Sequence, residues 1–180
     1  MASKKVPEVV IVIGSNSDRK SVDESGMLDV LNQCAVDWQM SIISAHRHPD
    51  KLKEYCQEMV NNGVLVFIGV AGMSAALPGA IAAYTKGLCP VIGVALTEDK
   101  LFGGLDALLA MTRLPLGTAV ATVGLDKTGL YNAAKLAVQI ICLTERAGKD
   151  YTTNFEEKLE ELVEDEAKKR PFTIAVAKGE

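Results

Sequence analysis

His46 and His48 are the only histidines in this 180-residue chain, and Arg47 stands between them in the stretch SAHRHPD, residues 44–50. An imidazole changes charge near neutral pH, so His46, just past an apolar run, is suited to carry a proton. The Arg47 guanidinium offers a planar fork to a phosphate or a carboxylate. Plainer roles exist for each. His46 also reads as a structural histidine bonded to a backbone carbonyl, Arg47 as half of a surface salt bridge, and His48, directly before Pro49, as a solvent-facing residue at a helix cap.

A second stretch, GSNSD at 14–18, follows the apolar run VVIVI. Backbone N–H groups at a helix N-terminus, joined by the hydroxyls of Ser15 and Ser17, make a site for an anion such as phosphate. Gly14 lets the chain approach closely, and Asp18, which would repel a phosphate, suits ribose hydroxyls. The same five residues read equally well as a turn and a helix cap. A third stretch, GVAGMSAALPG at 69–79, holds no acid or base and only Ser74 as a nucleophile. Its small residues let backbone amides reach a flat ligand while apolar neighbours keep water out, although packing alone accounts for them too.

Three loops can cooperate only if the fold brings them together. Nearly continuous apolar runs at 9–13, 40–45, 64–70, 90–96 and 118–124 alternate with helical stretches, so both faces of the sheet are expected to be covered by helices. The expected fold is α/β: a three-layer sandwich with a doubly wound parallel sheet in the flavodoxin-like strand order 2-1-3-4-5, followed by a C-terminal helix. In such a sheet ligands bind beyond the carboxyl ends of the strands, where the winding reverses, and all three loops end there.

The first helix is expected from about residue 18 through Leu31, capped by Ser17 or Asp18. The second starts at Pro49, carries Leu52, Tyr55, Cys56 and Met59 on one face and stops at Asn62-Gly63. A short third covers GAIAAYTKG at 79–87, an Ala-rich fourth runs over 130–143, and a charged fifth over 154–169 carries Phe155, Leu159, Leu162 and Val163 at helical spacing. The last nine residues read as a mobile or partner-dependent tail. One domain over 1–180 is expected, its core at about 8–147 and its terminal helix and tail at about 150–180.

Composition narrows the partners. With 48% hydrophobic and 23% charged residues, a net charge of −4 and a pI near 5.3, the chain lacks the broad cationic surface that nucleic acid selects. The apolar run behind Lys4 and Lys5 is too short for a signal peptide or a membrane span, so the protein is expected in the cytoplasm with no membrane partner. Cys34, Cys56, Cys89 and Cys142 stand apart, without zinc spacing, and read as buried or half-buried thiols; no metal is expected. Small-residue helices at GAIAAY and YNAAKLAVQ suit close helix contacts within or between subunits, which fits a homo-oligomer.

Taken together, GSNSD, SAHRHPD, AGMSAALPG, GLDALLAMTRLPLG with VATVG, and NAAKLAVQI resemble, in order and spacing over residues 8–145, the aminoimidazole ribonucleotide carboxylase and mutase family of purine biosynthesis. That resemblance implies a small ribonucleotide substrate, CO2 as a partner, no metal or organic cofactor, and an octamer whose sites draw on neighbouring subunits. It assigns His46 as the proton carrier, Ser15 and Arg47 to the phosphate with Ser17 assisting, and Asp18 to the ribose. Gly72, Met73 and Ser74 are assigned to the imidazole and CO2 pocket through backbone groups, and Ser44, Ala76 and Leu77 to substrate binding. The chain departs from mutase-type members at Ala76, where they carry histidine, and at Arg113-Leu114-Pro115, where they carry Gln-Met-Pro. Arg47, in contrast, is mutase-like, because the carboxylase class has lysine there. On this balance the expected reaction is C4 carboxylation of 5-aminoimidazole ribonucleotide directly from CO2. Its alternative is a mutase that moves the carboxylate of N5-carboxyaminoimidazole ribonucleotide to C4. AGMSAALPG also resembles a domain that carboxylates a pyridinium nucleotide, and a paralogue with altered activity fits the same departures. A non-catalytic flavodoxin-like module would have to stack Trp38 and Tyr84 on a flavin. A receiver module would need acids where Gly14 and Ser15 stand.

Overall fold

The computed structural model describes residues 6–97 and 103–146, with side chains as far as residue 143. Its five strands are β1 (Val9–Ile13), β2 (Trp38–Ile42), β3 (Val66–Gly72), β4 (Val91–Leu96) and β5 (Ala121–Leu125), all parallel, in the order β2-β1-β3-β4-β5. The expected order 2-1-3-4-5 is therefore observed. Between and after the strands lie α1 (Arg19–Asp23), α2 (Met27–Gln33), α3 (Pro49–Asn62), α4 (Leu77–Tyr84), α5 (Leu105–Thr112) and α6 (Asp126–Arg146).

The two core layers follow from the period-2 alternation of a strand. Val9, Ile11 and Ile13 of β1 pack with Val22 of α1, Leu31 of α2 and Leu130, Ala134 and Val138 of α6. Val10 and Val12 face the other way, toward Leu52 and Cys56 of α3, Ile81 of α4 and Met111 of α5. Because both faces are covered, every residue of β1 is buried, which is why the strand reads as an unbroken apolar run.

The Ala-rich helix expected over 130–143 is longer, Asp126–Arg146, and three further helices differ from expectation for local reasons. The helix expected over 18–31 is split into α1 and α2. Gly26 adopts a φ of +83°, and the Ser25 hydroxyl donates to the Val22 carbonyl at 2.7 Å while accepting the Met27 N–H at 3.0 Å. The side chain thus competes with the helix for its backbone groups. A short 3-10 turn, Asn16–Asp18, precedes α1. No helix is expected over LDALLAMT, yet α5 forms there; a sequence apolar nearly all round carries little helical periodicity. The third expected helix begins two residues earlier, at Leu77, with Pro78 in its first turn. The expected fifth helix and the tail lie outside the described residues. Among those described, no helix is long and apolar enough to cross a membrane.

Close approach explains two glycines. A Cβ on Gly69 of β3 would lie 3.1 Å from the Pro78 Cα, so Gly69 lets the start of α4 press onto the sheet beside the end of β3. A Cβ on Gly129 of α6 would lie 2.5 Å from the Gly124 carbonyl carbon, where helix and strand backbones meet directly. The Gly129→Ala variant is therefore expected to lose about 1–3 kcal/mol of stability through overpacking, read as a lower urea midpoint at unchanged m-value.

All four cysteines are buried and none forms a disulfide, as the sequence suggests. Burial, with a smaller contribution from neighbouring Cys89, pushes the Cys56 thiol up to about 12. Folded Cys56 therefore keeps its proton where the unfolded chain has lost it, and the stability this contributes against unfolding falls as pH rises. Between pH 9.0 and about 12 native protein is expected to lose stability progressively, and Cys56→Ala is expected to flatten that loss in urea titrations at stepped pH.

Candidate active site

The last rungs of the central ladders decide where the site forms. Beyond β1, the Gly14 N–H donates to the Val70 carbonyl at 3.1 Å and the Ile13 carbonyl accepts from the Ile43 N–H at 3.0 Å. The loops after β1, β2 and β3 thus leave the sheet side by side. The chain after β1 turns to one face and the chain after β3 to the other, which opens a crevice between them. A cavity of about 230 Å³ occupies it, lined by Gly14, Ser15 and Asp18, by Ser44, Ala45 and His46, and by residues 71–77.

The first loop is built by a capping box. The Ser15 N–H donates to Asp18 Oδ2 at 2.9 Å, and Ser15 Oγ accepts the Ser17 N–H at 3.4 Å. Ser17 Oγ lies 2.8 Å from Ser15 Oγ and 3.2 Å from Asp18 Oδ1. A hydroxyl has one proton to give, and a carboxylate only accepts. When Ser17 donates to either neighbour, the Ser15 proton is left for an anion in the cavity. The helix-cap reading is thus observed, and it is compatible with the anion reading because the cap itself orders the hydroxyls.

In the second loop the Arg47 N–H donates to Ser44 Oγ at 3.3 Å and the His48 N–H to the Ser44 carbonyl at 2.9 Å. The chain thereby curls through Ala45 and His46 before Pro49 starts α3. His46 is exposed and lines the cavity, and among the described residues its imidazole has no hydrogen-bond partner. No backbone carbonyl among the described residues holds it as a structural histidine. The Arg47 guanidinium likewise has no acidic partner among the described residues, so the surface salt bridge is not formed there. Arg47 and Ser17 are not in the cavity lining, unlike the other nine residues that the family resemblance assigns to catalysis or substrate binding. His48 is exposed at the N-cap of α3, as anticipated.

In the third loop Met73 takes a φ of +53°, and its carbonyl accepts the Ala75 N–H at 2.8 Å. The turn leads into α4, whose N-cap Ala76 makes no side-chain cap, leaving the helix start uncapped at the cavity wall. Trp38 and Tyr84 do not line the cavity; the Trp38 indole N–H instead donates to Asn32 Oδ1 at 2.8 Å. Aromatic stacking on a flavin has no support here. No group of three or more His, Cys, Asp or Glu able to hold a metal gathers among the described residues.

Sequence reasoning did not single out Ala45, Ala71 and Ala75, whose methyls complete the apolar wall, and it placed Tyr55 on the apolar face of α3 without seeing what its hydroxyl does. The Tyr55 hydroxyl on α3 lies 2.9 Å from both Gln39 Nε2 and Ser41 Oγ on β2, so it ties together the two arms that carry the His46 turn. Gln39 and Ser41 are two residues apart in a strand and so share a face, which is the pattern that could have revealed the pair. Burial, partly opposed by these two hydrogen bonds, raises the phenol pKa above 10.0. Tyr55→Phe is expected to lose about 1–2 kcal/mol because two polar groups lose their partner, measured by urea denaturation; an unchanged midpoint would mean that water replaces the hydroxyl.

The chain matches, over residues 8–162, the family model described as AIR carboxylase. It is 43% identical over 143 residues to the N5-carboxyaminoimidazole ribonucleotide mutase of Pyrococcus abyssi, covering 79% of this chain and 78% of that one. Identity to the Bacillus subtilis protein of the same name is 39% over 135 residues, 75% of this chain and 80% of its relative. The crystal structure of Treponema denticola PurE aligns with a TM-score of 0.71 at 25% identity, over 89% of this chain and 92% of that chain. Fold and sequence agree, and the chain belongs to the AIR carboxylase family.

Proposed function

We propose that this chain acts in purine biosynthesis as a mutase, moving the carboxylate of N5-carboxyaminoimidazole ribonucleotide to C4 to give 4-carboxy-5-aminoimidazole ribonucleotide. The observation that carries the reading is the single cavity into which Ser15, Asp18, Ser44, His46 and residues 72–77 converge. The sequence departures alone favour direct carboxylation. The names borne by the similar proteins favour the mutase, and with Arg47 they tip the choice.

The chemistry needs few parts. The N5–carboxylate bond breaks to release CO2, which an apolar wall of alanines retains next to the ring. The electron-rich C4 attacks CO2, so a C–C bond forms. His46 takes the C4 proton, which restores aromaticity, and the N5 nitrogen regains a proton, so the isomerisation balances without a metal or redox group. Ser15 and Arg47 hold the phosphate, with Ser17 steadying Ser15 and Asp18 turned to the ribose. Arg47 lies outside the cavity lining but next to His46, which is part of it, and its long side chain reaches the phosphate from there. Ser44 fixes the His46 turn, while Gly72, Met73, Ser74, Ala76 and Leu77 bound the ring. The working protein is a cytoplasmic homo-oligomer, an octamer, of one-domain subunits whose neighbours complete the sites.

The second reading, carboxylation of 5-aminoimidazole ribonucleotide directly from CO2, is favoured by one specific feature. Ala76 lines the cavity where mutase-type members carry histidine. Comparing product formation from N5-carboxyaminoimidazole ribonucleotide with that from 5-aminoimidazole ribonucleotide plus bicarbonate separates the two. The mutase is expected to use the first far faster, and a preference for the second would replace it. In either reaction His46→Asn is expected to lower kcat by about 10²–10⁴-fold with nucleotide binding retained. Near-native turnover of that variant would remove the assigned proton carrier.

A further inference from the structure

Four described residues other than glycine have positive φ, namely Ala35, Met73, Lys86 and Asp126, and of these only Met73 lines the cavity. A left-handed backbone is costly for an L-residue with a Cβ, and methionine has no short polar side chain to offset the cost by a local hydrogen bond. Met73 is also 61% exposed, so its apolar side chain gains little from burial in the free protein. Neither feature helps the chain to fold. Both occur in one residue, on the wall of the cavity, between Gly72 and Ser74.

The rest of the cavity says what such a side chain would meet. Its ionisable side chains come from the loops after β1 and β2, whereas residues 71–77 supply apolar side chains, backbone and a single hydroxyl, that of Ser74. A flat heteroaromatic ring fits against that wall, and a thioether makes favourable contact with such a ring. Resting on the proposed nucleotide-binding role, we propose that the Met73 side chain is the specificity-determining contact for the base ring, packing against it when nucleotide binds. The backbone alone does not provide this contact, and the strain at Met73 is retained because it holds the side chain at the cavity.

Two variants separate contact from strain. Met73→Ala removes the side chain and keeps the left-handed Cβ, whereas Met73→Gly removes both. Calorimetric titration would use two probes, ribose 5-phosphate and the stable ring-bearing nucleotide 5-amino-4-imidazolecarboxamide ribonucleotide. Both variants are expected to bind the ring nucleotide about tenfold more weakly than the native protein, with ribose 5-phosphate affinity unchanged. Met73→Gly is expected to melt about 2–4 °C above Met73→Ala. An equal loss for both probes, native ring affinity in Met73→Ala, or a Gly variant no more stable than the Ala variant would overturn the inference. Absence of mutase and carboxylase turnover alongside a ring-specific loss would remove the proposed reaction and leave the Met73 assignment standing. Turnover with a loss common to both probes would do the reverse.

Discussion

Everything at the site depends on how β1 is held at its carboxyl end. Its neighbours are β2 on one side and β3 on the other, and the hydrogen bonds that continue past the strand, Gly14 to Val70 and Ile43 to Ile13, fix the three departing loops at one height. A one-residue slip in either register would turn the apolar set of β1 to the wrong layer, so the core itself enforces the alignment. Val9, Ile11 and Ile13 are committed to one layer, Val10 and Val12 to the other. The placement of Ser15 beside His46 and Gly72 is thus a consequence of core packing many ångströms below.

Within that frame, each loop is shaped by its own local hydrogen bonds. The Ser15–Asp18 capping box starts a helix and orders two hydroxyls in the same step. The Ser44 hydroxyl and carbonyl curl the turn that presents His46, and Tyr55 holds together the strand and helix from which that turn is suspended. Met73 has a different character, because its backbone conformation is held against a steric cost by the Ala75 N–H and by α4, seated through Gly69. Rigid loops satisfied by local bonds and one loop under strain share a single cavity, a division common where a protein must be both stable and complementary to a ligand.

The fold was readable because its strands are buried on both sides and its helices begin and end on residues with strong local preferences, Pro49 and Gly63 being the clearest. The break at Ser25-Gly26 was not, since it depends on one hydroxyl bonding its own backbone, and α5 was obscured by an apolar sequence without a polar face. At the site, the residues readable in advance were those with reactive or hydrogen-bonding groups. Ala45, Ala71 and Ala75 were silent because a methyl group announces nothing until a neighbour is opposite it. Arg47 shows the converse: its chemistry is legible and its position is not, because a long side chain next to His46 can serve the cavity or leave it.

Charge explains why that freedom matters. Asp18 is buried at the cavity with its carboxylate engaged by Ser15 and Ser17, and the lining holds no lysine or arginine. A phosphate entering such a space meets a fixed negative group in surroundings that screen it poorly. Hydroxyls and helix-start amides orient an anion, but they carry no full positive charge to offset that repulsion. On the proposed reading the missing charge comes from Arg47, one position from His46 and without an acidic partner among the described residues. In that proposal binding and assembly of the charged site are one event, and His46 works in a completed electrostatic environment only in the presence of the nucleotide.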